Sequence, residues 1–140
     1  MGHETVGRIA SVGSNVSDEA LQPGQVATVN PVIGCGECDQ CAVGTEQRCA
    51  RRRVIGVNKE IQSAFAELML APARNVVVLP ASIPEEYGAL VEPLAVGYHA
   101  ASVAGLGPDD VVLVIGGGPI GQAAALGARR RGAQRVGVSE

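Results

Sequence analysis

Four cysteines fall in one 15-residue stretch, CGECDQCAVGTEQRC, at positions 35, 38, 41 and 49 of a 140-residue chain. A C-x2-C-x2-C-x7-C run can serve as a pair of disulfides, an iron–sulfur cluster or one zinc site. Disulfides suit small secreted chains whose cores are too small to hold them together, and bridges inside one loop would cross-link nothing distant. A bacterial ferredoxin run has its fourth cysteine after three residues, with proline behind it. Here seven residues intervene and Ala50 follows. The thiolates of Cys35, Cys38, Cys41 and Cys49 instead complete a tetrahedral zinc shell with no open position, a structural arrangement and not a catalytic one. Such a site can contribute on the order of 10 kcal/mol to folding at neutral pH.

A second constellation lies near the C-terminus. VVLVIGGGPIG reads as a β-branched strand, then Gly116-x-Gly118-x-x-Gly121, then a helix. Strand–turn–helix is the context in which this glycine pattern binds a dinucleotide. Gly116 suits the tight turn, Gly118 the close approach of a pyrophosphate, and Gly121 the helix–strand contact, with the phosphates at the helix N-terminus. Pro119 fits the first helical turn, where no N–H is needed. The expected acidic partner at the end of the second strand is Glu140. A carboxylate there binds ribose hydroxyls and repels a 2′-phosphate, which favours NAD over NADP.

The elements around these residues divide the chain. TVGRIASV (5–12) and QVATVN (25–30) read as strands about a turn-rich segment, 13–24. The cysteine stretch reads as loop, and AFAELMLA (64–71) and NVVVLP (75–80) as two more strands. From Pro84 the pattern turns helical, with a break expected near Pro93 and a stop at Gly105. A strand at 111–115, a helix over 119–131 and a strand in RVGVSE complete a βαβ pattern. The expectation is an α/β chain with a β-rich first part, divided at 1–88 and 89–140, the zinc lobe covering 34–53.

Bulk composition narrows the function classes. The chain is 46% apolar and 18% charged, enough for a packed core, with only 2% aromatic residues. A net charge of −3 and a pI near 5.4 speak against nucleic-acid binding. The one basic cluster beside the cysteines, Arg51-Arg52-Arg53, reads as a solvated loop face. Residues 111–128 carry no charge over 18 positions, but three consecutive glycines and a proline split them, so no membrane span is expected. No secretory pattern opens the chain; a cytoplasmic location is expected.

The string GHETVGRIASVGSNV fits G-H-E-x2-G-x5-G-x2-V through Gly2, His3, Glu4, Gly7, Gly13 and Val16. It resembles the signature of the zinc-containing alcohol dehydrogenases of the medium-chain dehydrogenase/reductase family. That family also carries the four-cysteine lobe with this spacing, then a Phe-Ala-Glu stretch (here Phe65-Ala66-Glu67), then a Rossmann coenzyme domain. The resemblance implies a partial GroES-like β domain with a structural zinc lobe, followed by the first βαβ unit of a Rossmann domain.

It also implies site residues. His3 offers a neutral imidazole to a catalytic zinc, and Glu4 a carboxylate that binds directly or steers a ligand. Alone, a His-Glu pair at a terminus would read as surface decoration. Glu92 is a third candidate: a glutamate in an apolar helical segment is costly to bury unless paired or metal-bound. Glu92-Pro93 resembles the polyol branch, which includes sorbitol, butanediol and threonine dehydrogenases. Ile120 is similar to the family's apolar residue beside the coenzyme, and His99 is assigned to packing. The implied reaction moves hydride from a secondary alcohol or polyol to NAD, with zinc polarising the substrate oxygen. The family's chains are more than twice as long, and its remaining catalytic-zinc ligand, a cysteine, lies upstream of Gly-His-Glu. This chain is therefore read as an internal fragment without turnover of its own, from a protein expected to be a homo-oligomer. Two other readings stand beside it: a zinc-free quinone or enoyl reductase of the same superfamily, and a non-catalytic zinc-binding interaction module.

Overall fold

The structure is a computed structural model that describes residues 1–17 and 19–140. The chain forms two compact units, Met1–Ala89 and Leu90–Glu140.

In the first unit, strands β1 (Gly7–Arg8) and β2 (Val26–Val29) pair antiparallel, and β2 pairs on its other side with β5 (Val76–Val78). Between them, β3 (Val32–Ile33) and β4 (Arg53–Val54) form a separate two-stranded neck. The neck encloses the short helix α1 (Asp39–Ala42) and a 3-10 turn, Glu46–Arg48. Leu21, Ala27, Ile33, Ile55 and Leu79 form the small aliphatic core. Thr28 is buried among them and is satisfied by donating its hydroxyl to the Thr5 carbonyl at 2.7 Å.

Two strands differ from the sequence expectation. The first, expected over 5–12, is only Gly7–Arg8 by ladder. Ile9 still exchanges backbone bonds with Gln25 and Gly24, but the partner strand then folds away into the turn at 22–25. Part of the 13–24 segment, Asp18, lies outside the described residues. The second difference is 64–71, which is not a strand. Its apolar pattern suits a pleat, but no ladder forms along it. Gln62 clamps it instead, donating to the Leu68 carbonyl at 2.8 Å and accepting from Leu70 N at 3.1 Å. Phe65, Leu68 and Leu70 are left exposed.

The second unit consists of α2 (Val91–Val103), β6 (Val111–Ile115), α3 (Pro119–Arg130) and β7 (Arg135–Ser139). Strands β6 and β7 are parallel, in register from Val111↔Arg135 to Ile115↔Ser139, with α3 as the crossover. Helices α2 and α3 meet backbone to backbone: a Cβ at Gly127 would lie 2.7 Å from the Gly97 carbonyl oxygen. Ala101, Ala123 and Ala128, all buried, keep that contact thin. The expected break at Pro93 is absent. Pro93 sits in the first turn of α2, where its missing N–H has no intrahelical partner to lose. His99, assigned to packing, is exposed on α2. Among the described residues no helix is long and apolar enough to cross a membrane.

Candidate metal centre and coenzyme turn

The lobe gathers its ligands by local geometry. Cys35 follows β3, Cys38 caps α1, Cys41 lies within it, and Cys49 closes the 3-10 turn. All four cysteines are free, and their sulfurs lie within 4.8 Å of one another. Cys41 stands 3.6 Å from Cys38 and 3.9 Å from Cys35. Four sulfurs at ordinary zinc–thiolate distances, tetrahedrally placed, are about 3.8 Å apart. The donor set therefore fits one zinc ion, and the separations are far too long for S–S bonds. Gly34 is needed beside this cluster, because a Cβ there would lie 2.7 Å from Cys41 Sγ.

The cysteines are electrostatically unequal. The Glu37 backbone N–H, then hydrogen bonds with Cys38 and Cys49, bring the Cys35 thiol down to about 6. The Gly36 N–H also pulls on Cys41. Desolvation and the sulfurs of Cys38, Cys49 and Cys35 outweigh it and push that thiol up to about 11. Cys49 is fully buried.

The residues that brace the lobe come from elsewhere, and sequence reasoning missed them. Asn75 is buried and donates its amide to the carbonyls of Asn30, at 2.9 Å, and Val32, at 2.8 Å. It thereby fixes the chain where β2 hands over to the neck. Arg74 donates to the Gly34 carbonyl at 3.2 Å and stands 3.7 Å from Glu46. No local pattern announces either residue, since their hydrogen-bond acceptors lie 40 or more positions away and Glu46 is also remote in sequence. The Arg51–Arg53 run is exposed, as a solvated loop face should be, yet two of its side chains are engaged. Arg51 reaches Cys35 and Glu37, and Arg52 donates to the Cys49 carbonyl at 3.3 Å.

His3 and Glu4 lie on an irregular segment ahead of β1. The Ala64 and Phe65 amides donate to the Gly2 and Met1 carbonyls, and the Thr28 hydroxyl holds Thr5, so the segment is pinned on both sides. His3 is half-buried, Glu4 is exposed, and their ligand atoms lie within 4.8 Å of one another. Glu92 belongs to the other unit, as the second residue of α2, and is half-buried.

In the second unit the glycine turn has the shape its sequence suggests. Gly116 adopts φ +100°, a conformation that side-chain-bearing residues rarely take. A side chain at Gly121 would overlap the Gly116 carbonyl oxygen, so the turn closes only with glycine there. No atom lies within 4 Å of where a Cβ would stand on Gly116 or Gly118. Pro119 opens α3 behind Gly118, so the first, unbonded N–H groups of a twelve-residue helix lie at this turn. Glu140 follows β7, and its carboxylate reaches back over Gly117. These features fit a dinucleotide pyrophosphate at the turn with a ribose beside Glu140. Ile120 is half exposed in the first turn of α3.

Comparison with known proteins decides the family. A family model described as the alcohol dehydrogenase GroES-like domain matches residues 1–81. The chain belongs to that family. The resemblance carried by Gly2-His3-Glu4 and the four cysteines therefore holds, and the chain is a mixed α/β piece containing a GroES-like domain. Among its relatives, L-galactonate-5-dehydrogenase of Escherichia coli is 39% identical over 137 residues, covering 97% of this chain and 38% of that protein. The crystal structure of galactitol-1-phosphate dehydrogenase from Escherichia coli is 37% identical, with a TM-score of 0.87. The match covers 97% of this chain and 38% of that one. A Sinorhizobium meliloti structure described as a zinc-binding dehydrogenase bound to NADP is 35% identical with a TM-score of 0.88, over 99% of this chain and 39% of that one. This chain with its GroES-like domain thus spans about two fifths of the length of the relatives it matches.

Proposed function

We propose that these residues serve a zinc- and NAD-dependent oxidoreductase acting on a secondary alcohol or polyol. In this reading residues 1–88 are part of its catalytic domain and 89–140 the first βαβ unit of a Rossmann domain. The supporting observation is the pairing, in one chain, of a tetrathiolate cluster of zinc dimensions with an open glycine turn ending at a carboxylate.

Each group has a task. Cys35, Cys38, Cys41 and Cys49 hold a structural ion that stiffens the lobe and does no chemistry. His3 supplies an imidazole to a catalytic zinc, and Glu4 a carboxylate that binds it or steers a ligand. Zinc bound there supplies Lewis acidity at the substrate oxygen. The N–H groups at the start of α3 bind the coenzyme pyrophosphate, Gly116, Gly118 and Gly121 let it approach, and Pro119 and Ile120 shape the first helical turn beside it. Glu140 accepts hydrogen bonds from the ribose hydroxyls and disfavours a 2′-phosphate, so NAD is preferred. The small-molecule substrate is consistent with relatives that act on polyol-type compounds by their names.

The test is an assay of reduced nicotinamide formation over a panel of secondary alcohols and polyols. It compares the 140-residue chain with a version extended to the length of its relatives. The extended, zinc-loaded protein is expected to turn over, more efficiently with NAD than with NADP, and the 140-residue chain is not. His3→Ala is expected to abolish turnover while leaving zinc in the cysteine lobe. An extended protein that oxidises nothing on the panel with either coenzyme would end this reading.

A further inference from the structure

The arginine run after the last cysteine is the one motif that neither zinc ligation nor the coenzyme turn absorbs. Within it, Arg51 Nη2 donates to Cys35 Sγ at 3.3 Å, and Nη1 meets Glu37 Oε1 at 2.9 Å. One guanidinium is thus tied both to a cysteine of the cluster and to the acidic residue two positions beyond it. The planar fork of arginine can make both contacts at once, whereas lysine brings a single point charge. Four thiolates around a divalent ion leave two formal negative charges, and a cation bonded to one sulfur offsets part of that excess. Groups that hydrogen-bond a metal ligand fix its orientation, and their loss typically lowers metal affinity by about 10–100-fold. The Arg51–Glu37 pair alone has little worth, since both side chains are more than half exposed. Its effect must run through the sulfur.

We propose that Arg51, aimed by Glu37, is a positioning residue of the lobe, holding Cys35 in its ligating place and slowing the loss of the metal. This rests on the zinc reading of residues 34–52. Arg53, exposed on β4, has no such contact among the described residues and serves as the control.

Zinc release from the zinc-loaded chain into an excess of chromogenic chelator is compared for the wild type, Arg51→Gln, Arg51→Lys, Glu37→Gln and Arg53→Gln. Release is expected about tenfold faster from Arg51→Gln, partly restored by Arg51→Lys, slightly faster from Glu37→Gln and unchanged in Arg53→Gln. In cobalt-substituted protein, the sulfur-to-cobalt charge-transfer band shifts in Arg51→Gln and not in Arg53→Gln, which lost packing alone would not cause. Wild-type release with an unshifted band in Arg51→Gln overturns the proposal. If that variant does not fold, the same result in Glu37→Gln overturns it. Metal content is measured first, because a wild-type chain without zinc refutes the reading beneath the proposal and not the role of Arg51 alone.

Discussion

The cysteine lobe and the glycine turn are both built to receive something, but they are held in shape by different means. Helix α1 and the following 3-10 turn bury no residue of their own, so Cys49 is the main anchor between the neck strands. The glycine turn sits between a five-pair parallel ladder and a twelve-residue helix that packs on α2. In the zinc reading the first region owes much of its rigidity to the ion; the second is held by its own ladder and helix. Sequence spacing can describe a ligand-organised region well because the ligand sets the spacing. A preformed turn needs its flanking elements as well.

The largest expected effect removes the lobe's organiser. Cys49→Ser should abolish zinc binding at the cluster and forfeit much of the ~10 kcal/mol that such a site contributes to folding. Zinc per chain and hydrogen exchange across 34–52 would measure this, and unchanged protection of the lobe would mean that it holds itself together. An intermediate effect strikes the preformed region. Gly121→Ala forces a Cβ against the Gly116 carbonyl and should destabilise the second unit by about 1–3 kcal/mol. It should also speed exchange of the β6 and β7 amides while zinc content stays the same. A fall in zinc content would break the contrast.

The smallest effect is one of order among thiols. In the metal-free chain Cys35, lowered to about 6, is mostly thiolate at pH 7, whereas Cys41, raised to about 11, keeps its proton. Iodoacetamide at pH 7 should therefore modify Cys35 ahead of Cys41, as read by peptide mass spectrometry. Because the folded value for Cys35 lies below its ordinary 9.0, the stability it contributes is present above pH 9 and fades as pH falls toward 6. Equal labelling of the two would show that the lobe does not set the thiols apart.

Local features of the fold were legible where local rules applied. The β6 run, the glycine turn and α3 could be placed almost to the residue because periodicity, glycine and proline act within a few positions. The 64–71 segment misled because apolar alternation states a preference for a pleat, while a ladder requires a neighbour. Pro93 misled in the opposite way: a helix breaker is harmless in a first turn. The turn at 22–25 is closed by a side chain: Gln25 accepts from Gln22 N at 2.6 Å. Asn75 and Arg74 were illegible because their chemistry depends on partners brought together only by the sheet.

The neck has a consequence for how such a chain can change over time. Ile33 and Arg53 face one another as paired residues, so the lobe leaves and rejoins the body at adjacent points. Nineteen residues, 34–52, can be regarded as a cassette whose ends already meet at hairpin spacing. Excision in favour of a two-residue turn would leave the β1–β2–β5 register untouched, and so would exchange for a lobe of another length. Val32–Ile33 and Arg53–Val54 thus mark a splice point at which the cysteine lobe can be gained or shed without redesigning the sheet that carries it.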